Sequence, residues 1–182
     1  FLKNTGGGMT LVDLDTTNGG IEAVADGAID AQNVDASGLA TLIATVGDID
    51  VDTVSAGAGG TVTINAQAGA IDDPDANSTI TTTGFVVLNA ATSIGATNTI
   101  TTAGIGSLAV IAGDDMDISG NSALTDLNLT LDPNGAATYD LTGFTGLTET
   151  ITTDGTDLTI TNLDSTNGTN LDVTVVTGDV NV

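Results

Sequence analysis

Four apolar stretches recur along the chain at nearly constant spacing: Leu42-Ile43-Ala44, Val62-Thr63-Ile64-Asn65-Ala66, Phe85-Val86-Val87-Leu88-Asn89-Ala90 and Leu108-Ala109-Val110-Ile111-Ala112. Their closing alanines 44, 66, 90 and 112 lie 22, 24 and 22 residues apart. A second series, Ile29, Ile49, Ile71, Ile94 and then Met116 or Ile118, keeps a similar step. A third series precedes Gly-rich corners: Val34-Asp35-Ala36-Ser37-Gly38, Val54-Ser55-Ala56-Gly57, Ile80-Thr81-Thr82-Thr83-Gly84 and Ile100-Thr101-Thr102-Ala103-Gly104. Three short strands thus recur in one order. A period in the low twenties, built of alternating segments separated by Gly, Asn and Asp corners, is the pattern of a solenoid. The expectation is an all-β, right-handed parallel β-helix with triangular coils of about 22 residues and one strand per face. Successive coils would stack at ~4.8 Å, giving roughly eight coils and a rod of roughly 40 Å. Ile64, Leu88 and Val110 should point inward, and Thr61, Thr63 and Asn65 outward.

Composition agrees with a narrow β interior. Aromatic residues are 2% of the chain, with no Trp, so the core must be built from Val, Ile, Leu, Ala and Thr. Among the 24 acidic residues only Glu22 and Glu149 are Glu, so charge-paired helices have almost no material. Asp, Asn and Gly favour turns, while Thr, Val and Ile favour strands. A net charge of -23, with Lys3 as the sole basic side chain, excludes nucleic acid and anionic membranes as partners. A hydrophobic content of 40% is too high for an acidic disordered tail. Without Cys there are neither disulfides nor thiolate metal sites. No apolar run approaches the ~20 residues needed to span a bilayer as a helix. Phe1-Leu2-Lys3-Asn4 is neither an initiator Met nor a signal peptide, so the chain reads as a processed product or an excerpt.

The expected organisation is regular coils over 1–131 and a less regular continuation with longer loops over 132–182. After residue 121 Leu127-Asn128-Leu129-Thr130-Leu131 still reads as a strand, but Asp132-Pro133-Asn134-Gly135 is a turn. The apolar sets Tyr139/Leu141, Leu158/Ile160 and Leu171/Val173/Val175 depart from the earlier spacing. Thr177-Gly178-Asp179-Val180-Asn181-Val182 repeats the form of Val46-Gly47-Asp48-Ile49-Asp50-Val51, so the chain is expected to stop mid-coil without a cap.

The run Gly47-Asp48-Ile49-Asp50-Val51 to Ala66, Gly69-Ala70-Ile71, Phe85 to Ala90, Ser93-Ile94-Gly95 and Ile100-Thr101-Thr102 resembles the repeats of filamentous-haemagglutinin-type exoproteins. These are giant bacterial surface adhesins, often exported by two-partner secretion. The resemblance covers about residues 20 to 131 well and the remainder loosely, and it implies an extracellular, cell-surface β-solenoid. It brings no catalytic residues with it, and the family's amino-terminal secretion domain is not recognisable here.

Candidate chemistry is sparse. With no His, Cys or Arg there is no Ser-His or Cys-His pair and no cation to hold an oxyanion or a phosphate. Paired carboxylates on a β-helix, Asp72/Asp73/Asp75 and Asp114/Asp115/Asp117, have the chemistry of an inverting glycosidase. Such clefts add aromatic platforms and basic residues, which this chain almost lacks, and many Asp residues are corner formers. The same carboxylates suit a hard cation: Asp30, Asp50, Asp72, Asp73, Asp75, Asp114, Asp115 and Asp117 are the candidate Ca2+ ligands, with Asp30, Asp50, Asp72 and Asp117 in one outward axial column. Against this, no nonapeptide or EF-hand calcium motif occurs, and a solvated acidic face that keeps a long β-rod soluble explains the same residues. Asn-x-Ser/Thr at Asn77, Asn128 and Asn167 is expected by chance in so Asn- and Thr-rich a chain. No other cofactor is implied. Two readings remain: a non-enzymatic adhesin stalk whose outward loops contact cell or matrix surfaces, or a self-assembling subunit of an extracellular filament or sheath. In the second the partner is self, end to end or laterally.

Overall fold

The computed structural model describes residues 1–120 throughout and, beyond them, the backbone of the strands Ala123–Leu124, Asp126–Leu131, Ala137–Thr142, Thr145–Gly146, Thr148–Thr153, Leu158–Thr161, Asn170–Val175 and Val180–Asn181. The regular structure of the described residues is entirely strand, and the pairs between strands are parallel. The chain is a parallel β-solenoid with a repeat of about 21 residues and about six turns within its first 120 residues.

Three faces follow from the pairing. The first is a nine-stranded sheet running Leu2–Asn4, Ile21–Ala25, Ala40–Ala44, Thr61–Ala66, Phe85–Ala90, Ser107–Ala112, Asp126–Leu131, Thr148–Thr153 and Asn170–Val175. The second runs from Met9–Leu11 through the starts of Ile29–Ala36 and Ile49–Ala56 to Ile71–Asp72, a bridge at Ile94, and Met116. The third runs from Leu14–Thr16 through the ends of the same two long strands to Thr79–Thr81 and Ile100–Ala103. Second and third faces share one sheet because those long strands turn the corner unbroken. Ala31 and Val34 are both buried although three residues apart, so the inward side switches parity between them.

The interior is a set of axial columns. Ala44, Ala66, Ala90 and Ala112 stack in register as the spacing predicts, each at most 1% exposed, and Ala25 extends the column by one coil. Small side chains belong there because they end a strand just before a corner. Ile64, Leu88 and Val110 stack above Leu42, all buried, while Thr61, Thr63 and Asn65 face outward and are half-buried. On the second face Met116, not Ile118, continues the Ile29, Ile49, Ile71, Ile94 column.

The third face corrects one alignment. Ile80 stacks on Val54 as expected, but its next partner is Thr102, and Ile100 pairs with Ile118. The similar Ile-Thr-Thr runs at 80 and 100 are therefore offset by two residues. A two-residue slip leaves inward and outward sides unchanged, so the hydrophobic pattern does not distinguish the registers. The longer excursions between Ile71 and Thr79 and between Ile94 and Ile100 set the offset. Thr82 and Thr102, each two residues on from a buried isoleucine, also point into the core, with their hydroxyls satisfied. Thr102 donates to the Ser119 carbonyl at 3.2 Å and Thr82 to the Gly60 carbonyl at 2.8 Å.

Past residue 131 the register persists: Asn128 pairs with Thr150 and Thr150 with Asp172, each a step of 22. Tyr139 aligns with Met116 and Ile160, whereas Leu171 and Val173 belong to the first face. The loosened rhythm in the sequence thus arises from comparing strands of different faces. The longer loops expected over 132–182, like the turn at Asp132 to Gly135 and the final Val182, lie outside the described residues.

Candidate functional site

The candidate carboxylates collect on the second face and its corners. Asp30, Asp50 and Asp72 are in direct register in three successive coils, each following the buried isoleucine of its turn. Asp117 does not continue that column directly. The bridges Ile71 to Ile94 and Ile94 to Met116 place Gly95 between Asp72 and Asp117. Gly95 is there because a Cβ would be driven onto the Asp117 carbonyl oxygen, and its φ of +72° suits glycine.

Two of these acids, Asp72 and Asp117, act as acceptors between neighbouring turns. The Asp72 carboxylate takes the Thr97 amide at 2.9 Å, the Thr97 hydroxyl and the Asp73 amide at 3.0 Å. Asp117 accepts the Thr99 hydroxyl at 2.7 Å. Asp30 accepts from the Gln32 side chain of its own strand at 3.0 Å, so the joints between turns are at Asp72 and Asp117. Three acids outside the predicted set do the same work: Asp13 accepts from Asn33 at 2.8 Å, Asp35 from the Ser55 hydroxyl, and Asp48 from the Ala70 amide at 2.8 Å. The sequence signal for them was present, since donor and acceptor lie 20 to 22 residues apart. It has meaning only once the coil length is known.

Asp73 has a separate job. It is 1% exposed and accepts the Ser78 amide at 2.8 Å and the Asn77 amide at 3.1 Å, closing the loop in which Ala76 takes a φ of +59°. The Asn98 side chain pins that loop to the next coil through the Asp73 carbonyl at 2.7 Å. Asp75 is exposed on the same loop, while Asp114 and Asp115 sit on the corner before Met116, where the Asp115 carbonyl accepts the Ile94 amide at 2.9 Å. Among the described residues no group of three or more Asp or Glu side chains gathers closely enough to hold a metal ion.

Ionisation follows the geometry. Burial pushes the Asp50 carboxyl up, and the charges of Asp30, Asp48, Asp72 and Asp52 add to it. Asp52 is also raised, by burial first and then by Asp75. Burial opposes ionisation of Asp73 as well, but the Ser78, Asn77 and Ala76 amides and the Ser78 hydroxyl outweigh it and hold its carboxyl below the usual range. The consequences for stability have opposite signs. Asp50 binds its proton more readily in the folded state, so its contribution is present at low pH and is lost as pH rises through its raised pKa. Asp73 contributes above the ordinary carboxylate pKa and loses that contribution as pH falls through its depressed one. Asp50→Asn is expected to raise the melting temperature near neutral pH, the gain vanishing in acid. Asp73→Ala is expected to cost about 1–3 kcal/mol near neutral pH, because it strands the buried Ser78 amide, and less in acid. Melting curves from neutral to strongly acid pH check both; two shifts of the same sign would contradict the assignment.

A depression of about 240 Å³ lined by Phe1, Gly20, Ile21, Glu22, Leu39 and Thr41 contains one carboxylate and none of the candidate residues. No known protein family, no characterised protein and no solved structure matches the chain. What the acidic face does must therefore be argued from its chemistry. Its carboxylates fasten coil to coil, close loops and keep one side of the solenoid strongly negative.

Proposed function

We propose that this chain is a non-enzymatic structural segment of an extracellular bacterial adhesin, a stalk of the filamentous-haemagglutinin type that holds a binding region away from the cell. The observation that carries the reading is the unbroken nine-strand first face, whose inward side chains repeat in every coil from Ile21–Ala25 to Ser107–Ala112. Such an element is rigid along its axis, and each added coil lengthens it by ~4.8 Å without a new fold. The acids with the chemistry of a glycosidase pair support the same reading. Asp72 and Asp73 are occupied in holding loops, and Asp73 is a fixed carboxylate where a general acid would need a raised pKa.

Electron microscopy of the native material tests the proposal. Unbranched thin rods projecting from the cell, whose length scales with the number of repeats in the polypeptide, are expected. A polymer in which this chain is the repeating subunit would replace the stalk with the filament reading. Turnover of a polysaccharide, ester or peptide by the purified chain, abolished by Asp72→Asn or Asp50→Asn, would overturn the non-enzymatic reading.

A further inference from the structure

Over its five strands from Ile21–Ala25 to Ser107–Ala112 the first face differs from the other two in having almost no charge. Its strands Ala40–Ala44, Thr61–Ala66, Phe85–Ala90 and Ser107–Ala112 contain no ionisable residue, and Ile21–Ala25 contains only Glu22. Asp13, Asp15, Asp30, Asp35, Asp50, Asp52, Asp72 and Asp117 all belong to the second and third faces or their corners. The outward side of the first face instead carries Ile43, Thr63, Asn65, Phe85, Val87 and Ile111, half-buried except for Ile111 at 43% exposure. In a chain of net charge -23 this is a flat patch of apolar and small polar side chains five strands wide, with Glu22 on its outermost strand as its only acid.

We propose that this face binds a second copy of the chain, sheet against sheet. Charge and geometry both select that occupant. Two copies meeting through their second faces would press Asp columns together, whereas meeting through the first faces leaves those columns on the far sides, beyond the ~8 Å over which physiological salt lets them act. A cationic partner would choose the Asp faces. Only a surface whose ridges repeat at the strand spacing can match all five rows at once, and a second copy has that spacing by construction. Facing sheets pack ~10 Å apart, and Thr, Val, Ile and Asn side chains interdigitate at that distance. Five strands of about five residues cover about 400 Å² per copy. That is about 800 Å² in all, below the ~1,200 Å² of stable complexes, so the association is weak and reversible. The proposal is independent of the adhesin reading.

Sedimentation of the purified chain tests it. A concentration-dependent monomer–dimer equilibrium is expected, strengthened by added NaCl because salt screens the remaining repulsion. Thr63→Asp and Val87→Asp, adjacent across two coils, should each abolish the dimer with an unchanged circular dichroism spectrum. Thr53→Asp on the third face should leave it intact. The chain has no native Cys, so Thr63→Cys should form a disulfide-linked dimer on oxidation and Thr53→Cys should not. A monomer at the highest soluble concentration in high salt would overturn the proposal. So would dimers that survive Thr63→Asp and Val87→Asp, or that cross-link through position 53 and not 63.

Discussion

Leu88→Asp is expected to lower the melting temperature by about 10–20 °C, while Thr63→Asp shifts it by no more than about 2 °C. Leu88 is fully buried, with Ile64 below it and Val110 above it in register, both apolar. An aspartate there loses the packing of the leucine, which is about 2–5 kcal/mol. It must also either hold an unpaired charge or take up a proton at a cost that grows with burial. Together these exceed about 5 kcal/mol, a large part of the stability of an ordinary domain. Thr63 is one residue from Ile64 but points the other way, is half-buried, and has no ionisable neighbour in register. Thermal melts followed by circular dichroism compare the two directly. Similar shifts would mean that the alternation along Thr61–Ala66 and Phe85–Ala90 does not separate core from surface.

That contrast rests on the part of the fold most legible from sequence. The inward positions could be read because each recurs with the same residue type after one coil: Ala44 to Ala112, or Ile29 to Ile94. Where side chains vary within a column, the reading failed for a definite reason. Ile80 and Ile100 look equivalent, yet Ile80 meets Thr102, because loop length sets the register and a shift of two preserves the in-out pattern. The carboxylates show the same limit. The column of Asp30, Asp50 and Asp72 could be seen as a like-charged series following the isoleucines, but Gly95 interrupts its path to Asp117. The occupation of Asp72 by Thr97, or of Asp48 by the Ala70 amide, depends on which corner lies over which. Alternation within a strand is a local property. Contact between corners belongs to the stack and requires the register of every coil between.

The corners give the second large effect. Gly84→Ala is expected to destabilise the solenoid by about 2–4 kcal/mol, whereas Gly59→Ala costs about 1 kcal/mol. At Gly84 an added Cβ would be driven onto the carbonyl oxygen of Gly60 in the preceding coil and would lie 2.7 Å from the carbonyl carbon of Gly59. Neither atom can move cheaply. The Gly60 carbonyl accepts the Phe85 amide at 3.3 Å and the Thr82 hydroxyl at 2.8 Å, and Gly84 in turn offers its own carbonyl to the Gly106 amide at 2.9 Å. Relieving the clash means parting two coils at the point where the first face begins, with loss of hydrogen bonds worth about 1 kcal/mol each. Gly59 is the useful control because its glycine requirement has a different origin. Its φ is +73° and nothing lies within 4 Å of the added methyl, so only the left-handed backbone resists alanine there. If melting experiments found Gly59→Ala the more damaging substitution, the corners would be governed by turn conformation alone, and the close backbone stacking of successive coils would be wrong.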